Sequence, residues 1–203
     1  MSGFKYVETN RVSKAQKRRD AKSAKKADQM RRIEEAEKLD EHKDRRIEQE
    51  RLDKLLESKN LRVHDIDADG DCLYRAVEHQ LSLAKDSELR LSYQEIRRRT
   101  SQHMLDNADN FLPFLLNDQG ELMSEQDYKN YCHRVANTKE WGGHLELTAI
   151  SQFTKRPIHI YQAENRTPII IESQGSKSTP ILLSFHKHLY HLGEHYNSLV
   201  EAT

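Results

Sequence analysis

The segment Asp65-Ile66-Asp67-Ala68-Asp69-Gly70-Asp71-Cys72-Leu73-Tyr74-Arg75-Ala76 places four carboxylates and a thiol within eight residues. Two chemistries compete for it. One is calcium binding. Asp65, Asp67, Asp69 and Gly70 fill positions one, three, five and six of an EF-hand loop, but position twelve, a bidentate Glu in that motif, is Ala76. Starting at Asp67 brings Glu78 to position twelve and puts Cys72 where the glycine belongs. The preceding Leu61–Ile66 reads as strand rather than as an entering helix, so calcium is not expected. The other chemistry is nucleophilic. Cys72 follows a Gly-containing turn and opens a stretch, Cys72 to Ala84, with Leu73, Ala76, Val77, Leu81 and Ala84 on one helical face. A helix N-terminus favours a thiolate. A turn through Asp69, Gly70, Asp71 and Cys72 can aim backbone N–H groups at one point, as an oxyanion hole requires. The adjacent carboxylates oppose a thiolate, so this reading needs a partner base.

Eleven histidines are available, and His186, His188, His191 and His195 cluster in HKHLYHLGEHYN. His-x-His puts two rings on one face of a strand, but no second Cys and no obvious carboxylate complete a tetrahedral set, so no metal is expected. His195 and Asn197 share a strand face. An amide there can hold one imidazole nitrogen and turn the other toward a nucleophile. By itself this tripeptide also reads as a solvated strand. With Cys72 it forms a papain-like Cys–His–Asn constellation. Cys132 differs. It lies on the stripe Tyr128, Tyr131, Cys132, Val135 of a helix, where a cysteine packs as a small hydrophobe.

The elements that must position these residues fall into two unlike parts. The chain has 203 residues, net charge zero, 33% charged residues and a mean hydropathy of −0.93, unusually polar for one packed domain. Two cysteines exclude a disulfide framework, and neither a signal-like nor a membrane-length apolar run is present. A soluble protein of a reducing compartment is expected, cytoplasmic, with nuclear entry open to it. Residues 1–59 form a charged arm, helical or disordered. Its large apolar residues, Met30, Ile33, Leu39, Ile47, Leu52, Leu55 and Leu56, sustain no heptad, so a coiled coil has little support. Residues 1–32 carry 11 Lys/Arg against 3 Asp/Glu. Lys14, Lys17, Arg18, Arg19, Lys22, Lys25 and Lys26 make a basic run that suits a phosphate backbone or a nuclear address, or is simply a solvated tail. No aromatic residue interrupts the run, which disfavours stacking on single-stranded bases.

Residues 60–203 read as an α+β domain. Ser92-x-x-Glu95 and Ser124-x-x-Asp127 start helices, Leu91 with Ile96 forms a hydrophobic staple, and another helix runs from His144 to Phe153. Val63, Ile66, Ile158, Ile160, Ile169–Ile171 and Ile181–Leu183 mark strands.

Asp69-Gly70-x-Cys72-Leu73-Tyr74-Arg75-Ala76, Trp141-Gly142-Gly143-x-x-Glu146 and Gly193-Glu194-His195-Tyr196-Asn197-Ser198 together resemble, in order and spacing, the motifs of the ovarian-tumour (OTU) cysteine deubiquitinases. The basic N-terminal run is similar to that of the OTU domain-containing protein 6 branch, with a shorter arm. The resemblance implies a papain-like fold with a small central sheet flanked by helices. It implies a thiol-dependent isopeptidase that removes ubiquitin from lysines through a thioester, with no metal or organic cofactor. Cys72 becomes the nucleophile, His195 the general base and Asn197 its orienting partner. Asp69 helps shape an oxyanion site built from the Asp69, Gly70, Asp71 and Cys72 backbone. Trp141, Gly142, Gly143 and Glu146 are structural or line the channel for the ubiquitin tail, burial of Trp141 being the plainer expectation. Residues 107–124 correspond to a variable ubiquitin-contacting loop, and residues 186–194 to a loop preceding the histidine. Expected partners are ubiquitin and ubiquitinated proteins. The small ribosomal subunit or its RNA is a further candidate, through residues 1–32. The alternative is a ribosome- or RNA-binding module whose catalytic domain is weak or silent.

Overall fold

Short β-branched runs pair into a five-stranded mixed sheet in the computed structural model, which describes residues 14–84, 89–117, 119–173, 179–190 and 193–202. The side chains of residues 14–18, 20, 21, 34–38, 41 and 190 lie outside that description. The strands are β1 (Leu61–His64), β2 (Ile158–Tyr161), β3 (Ile169–Ile171), β4 (Ile181–Tyr190) and β5 (Gly193–Glu201), in the order β1-β5-β4-β2-β3. Only β2 and β4 run parallel; the other neighbours are antiparallel. The helices are α1 (Lys14–Glu57), α2 (Cys72–Leu83), α3 (Tyr93–Asp106), α4 (Glu125–Asn137) and α5 (His144–Thr154). Single 3-10 turns at Ala108–Asn110 and Leu112–Phe114 link α3 to α4. The α+β expectation holds.

Caps fix the helix starts. Ser92 accepts the Glu95 N–H and Ser124 the Asp127 N–H, each satisfying a donor the helix cannot. The Glu95 carboxylate turns instead to Arg98 and Arg99, so the first box is not reciprocal. One face of the sheet, carrying Ile158, Ile160, Ile181 and Leu183, packs with Leu73, Tyr74, Val77 and Leu81 of α2, Ile96 of α3 and Leu147 and Ile150 of α5. A second cluster joins α3, α4 and α5 through Met104, Phe111, Tyr128, Cys132 and Ala149. Cys132 is therefore core.

The chain separates into two compact units, residues 1–44 and 45–203. Met30, Ile33 and Leu39 are exposed, whereas Leu52 and Leu56 are buried with Leu61, Tyr161 and Leu199 on the opposite face of the sheet. Two leucines four apart on one helical face, spaced for a sheet rather than for a heptad partner, cover strand residues that would otherwise be wet. Asn60 then takes a left-handed turn (φ 54°), a conformation Asn tolerates, and the chain enters β1. No helix among the described residues is long and apolar enough to cross a membrane.

Leu52 tests this division. Leu52→Ala removes a fully buried side chain and is expected to cost the 45–203 unit about 2–5 kcal/mol in chemical denaturation. Leu39→Ala, at an exposed site, should leave the midpoint within about 0.5 kcal/mol. Equal midpoints for the two variants would place the helix end outside the folded unit.

Candidate active site

The loop between β1 and α2 is a stack of turns. Asp69 N–H donates to Asp67 C=O (2.9 Å), Asp71 N–H to Asp69 Oδ1 (2.9 Å) and Cys72 N–H to Asp69 C=O (3.2 Å). Gly70 is demanded by close approach. A Cβ there would collide with the Lys139 carbonyl oxygen and Cβ, so only glycine lets the segment before Trp141 lie across the turn. Arg97 of α3 then locks the loop from below. Its guanidinium donates to Asp71 Oδ1 (2.7 Å), to the Gly70 carbonyl (2.5 Å) and to the carbonyls of Val135 and Glu140 (both 2.9 Å). It also lies over the Tyr74 ring, 4.1 Å from its centroid. Arg97 is 3% exposed and Asp71 5%, so removing either would strand a buried charge, at about 3–5 kcal/mol.

These contacts answer the carboxylate difficulty. Asp71 is drawn away toward Arg97. Lys139 Nζ lies 3.0 Å from Asp69 Oδ2 and 3.9 Å from Asp71 Oδ2, and Arg75 reaches Asp69 at 3.8 Å. Burial alone would push the Asp69 carboxyl up. The Lys139 hydrogen bond, the Asp71 N–H and the charges of Lys139 and Arg75 outweigh it and hold the group below its usual range. Cys72 opens α2 half-buried. Burial pushes its thiol up, and the Asp69 charge adds to that. The backbone N–H groups of Tyr196 and Leu73 pull against it, and the net direction is upward.

The Tyr196 contact sets the thiol beside β5, at the backbone of the residue between His195 and Asn197. His195 Nε2 lies 3.0 Å from Asn197 Oδ1. The same oxygen accepts the Ile66 N–H at 2.8 Å, which fixes the amide orientation. An amide oxygen facing Nε2 makes that nitrogen the protonated one and leaves Nδ1 as the base. Burial pushes His195 down; the Asn197 bond, the Ile66 backbone and the charges of Asp65 and Asp69 oppose this without cancelling it. His186 completes the set. Its Nε2 lies 3.3 Å from Asn197 Nδ2 and 3.0 Å from Ser184 Oγ, and burial together with His195 pushes it down to about 4. The resting constellation is therefore a thiol, a neutral imidazole and a second neutral imidazole behind the amide. Such a set can carry out proton-coupled thiol attack on a carbonyl.

Three sequence expectations need correction. Trp141 is 50% exposed, not buried, because the Gly142-Gly143 segment turns it outward toward Gly193, whose φ of 98° suits only glycine. Trp141 and Gly142 instead share a narrow cleft with Gly70, Cys72, Leu73, Glu194 and Tyr196. Gly142 is pressed against α2, where a Cβ would stand 2.5 Å from Leu73 Cδ2. Second, the Asp69–Cys72 amides are not an open oxyanion set. The turns use the N–H groups of Asp69, Asp71 and Cys72, and among the described residues only that of Gly70 has no acceptor in this loop. Third, the described residues of 186–194 are strand rather than loop, since Gly193 and Glu194 open β5. His186–Tyr190 continue β4, and a register shift turns His188 to solvent while His186 stays buried. His191 lies outside the described residues.

Glu146 is structural. It is 2% exposed and accepts from the Gly143 N–H and the Tyr131 hydroxyl, both at 2.6 Å, which fixes the start of α5. Arg19, Lys22, Lys25 and Lys26 are exposed on α1; the side chains of Lys14, Lys17 and Arg18 lie outside the described residues. Arg97 and Lys139 went unread in the sequence, and His186 was weighed there only as a metal ligand and as part of a loop, not as a partner of Asn197. Apolar periodicity assigns an arginine beside Ile96 to solvent, and nothing local marks Lys139 as the cover of a distant turn.

A family model for OTU-like cysteine proteases matches residues 67–196. The chain is 41% identical over 194 residues to the deubiquitinase OTUD6B of Xenopus laevis, covering 95% of this chain and 64% of that one. It is 40% identical over 190 residues to the Homo sapiens protein of that name, covering 93% and 63%. The chain thus spans just under two thirds of the length of these curated relatives. Its fold is similar to the OTU domain of OTUD1, with a TM-score of 0.55 and 27% identity over 80% of this chain and 99% of that one. On the family match and these identities, the chain belongs to the OTU-like cysteine protease family.

Proposed function

We propose that this chain is a deubiquitinase that cleaves ubiquitin from substrate lysines through Cys72, His195 and Asn197. One observation carries the reading. The N–H of Tyr196, the residue between His195 and Asn197, is directed at the Cys72 sulfur, so the thiol lies beside the strand segment whose imidazole is already oriented by an amide. The family and its deubiquitinase relatives supply the substrate class.

In this reading His195 Nδ1 takes the thiol proton as Sγ attacks the carbonyl carbon of ubiquitin's C-terminal glycine. The oxyanion forms at the Gly70 N–H, and Asp69 holds the turn in shape. The imidazolium returns the proton to the departing lysine amine as the C–N bond breaks, leaving a thioester. His195 then deprotonates a water, the tetrahedral adduct collapses, and ubiquitin leaves as a carboxylate with the thiol restored. Trp141 and Gly142 wall the cleft for the glycine tail. Phe114 at the end of its 3-10 turn and the bridged Leu116 and Leu122 are exposed to solvent, and they make the ubiquitin-contacting surface of this reading. No metal or organic cofactor enters any step, and a reducing, cytoplasmic compartment suits a free thiol.

A second reading rests on the exposed Arg19, Lys22, Lys25 and Lys26 of α1, a basic surface suited to ribosomal RNA phosphates. It either delivers the enzyme to ribosome-associated substrates or is the main activity beside a weak catalytic domain.

Ubiquitin carrying a C-terminal electrophile should label Cys72 and spare Cys132, which is fully buried. Absence of labelling at Cys72 in folded protein would sink the deubiquitinase reading. The pH dependence follows from the directions given above. A thiol held above its usual value and an imidazole held below its own make no ion pair at rest. Alkylation of Cys72 by iodoacetamide in the free protein should then climb with pH through the alkaline range, with less than about 3% thiolate at pH 7. A rate already level between about pH 5 and 8 would show a preformed thiolate–imidazolium pair instead. For the arm, replacing Arg19, Lys22, Lys25 and Lys26 by Glu should abolish a salt-sensitive co-sedimentation with ribosomal subunits; unchanged sedimentation removes the second reading.

A further inference from the structure

The β4–β5 ladder slips just beyond the residue that faces the candidate base. His186 pairs with His195, but the next pair is Tyr190 with Gly193, so three residues of β4 stand opposite one of β5. A bulge of this kind leaves backbone groups without ladder partners. Buried backbone groups rarely go unpaired. Here they are met from α1. Glu48, 5% exposed, accepts the Lys187 N–H at Oε1 (2.6 Å) and the His188 N–H at Oε2 (3.0 Å). Arg45 Nε donates to the His188 carbonyl at 3.1 Å. One helical turn therefore supplies two acceptors and a donor to the bulge.

The bulge is coupled to the site through strand geometry. Side chains alternate along β4 and β5, so Ser184 and His186 share a sheet face with His195, Asn197 and Leu199. Leu199 marks that face as the one covered by Leu52 and Leu56 of α1. His186, one residue before the first amide held by Glu48, contacts Asn197, which holds His195. We propose that Glu48 is a positioning residue for His195. Its carboxylate fixes the β4 bulge in the register that seats His186 against Asn197 and so sets the direction of the His195 ring. The helix end that carries Glu48 is thereby a working part of the catalytic unit, distinct from the basic stretch proposed to meet RNA. The proposal rests on the deubiquitinase reading only for its activity readout.

The test uses the full chain with Glu48→Gln and Glu48→Asp, and Glu50→Gln as control. Glu50 is exposed and faces Arg46, at 3.7 Å. Glutamine keeps the shape but offers one acceptor and presents an NH2 group to the second amide. Three quantities are read: amide hydrogen exchange across residues 186–190, the ¹⁵N titration of the His195 ring, and kcat and KM on a ubiquitin-lysine substrate. Glu48→Gln should remain folded, exchange faster at 187 and 188, shift the His195 ring resonances, and lose about tenfold to a hundredfold in kcat with KM little changed. Glu48→Asp, which keeps both oxygens, should recover part of the loss, and Glu50→Gln should match the wild type. Wild-type exchange and wild-type kcat in Glu48→Gln would overturn the proposal. So would a loss that comes with general unfolding and that Glu48→Asp does not relieve. If the wild type itself neither reacts with nor cleaves ubiquitin, the deubiquitinase reading fails, while exchange and the His195 titration still decide the role of Glu48.

Discussion

The buried guanidinium of Arg97 is the constraint around which the site is arranged. It joins the Gly70 carbonyl, the Asp71 carboxylate and the carbonyls of Val135 and Glu140, so the turn before α2, the end of α4 and the segment after it must converge on one planar group. Guanidinium geometry permits few such arrangements, which gives specificity beyond net stabilisation. The same contact governs the electrostatics of the loop. Asp71 could have stood beside the sulfur; bound to Arg97 it cannot. The Glu140 carbonyl draws in the segment that brings the Lys139 backbone across Gly70 and the Lys139 ammonium to Asp69. Two of the loop's four carboxylates, Asp69 and Asp71, are thus held on fixed cationic partners, which lessens their opposition to thiol chemistry.

That solution has a chemical consequence. Desolvation acts on Cys72 and His195 in opposite directions, raising the thiol and lowering the imidazole, and each effect favours the neutral form. A helix N-terminus and the backbone N–H groups of Tyr196, Leu73 and Cys72 do not reverse it. In the proposed reaction the proton therefore moves from sulfur to nitrogen when the carbonyl arrives, not before. Asn197 prepares for this by fixing the tautomer, and the neutral His186 behind it adds no positive charge that would oppose an imidazolium.

How much of this was legible from the chain depended on the range of the interactions. Ser92 and Ser124 marked helix starts because a cap acts over three residues. His195 and Asn197 were paired by strand alternation alone, and the stripe through Cys132 foretold its burial. Trp141 was misjudged because residue type speaks to average burial, whereas its exposure comes from two adjacent glycines and a third at Gly193. The oxyanion amides were misread because a turn's internal hydrogen bonds depend on which carboxylate reaches back, and spacing does not show that. Arg97 was invisible for a similar reason: its partners lie on three separate segments, and nothing in its own helix announces them.

The division of the arm shows the same limit and its remedy. Composition marks a change where charged residues end, and the compact unit 45–203 includes the last turns before that change, where Glu48, Leu52 and Leu56 answer needs that arise on the sheet. A lone glutamate in a charged helix looks like solvated surface. It becomes informative only when β4 is known to bulge and two of its amides are known to need acceptors. A buried carboxylate without a cation is unfavourable unless backbone donors surround it. Here two N–H groups supply that environment, and in return the carboxylate removes the freedom of the strand segment nearest the base. The polar group and the irregular strand each account for the other, and neither would be stable alone.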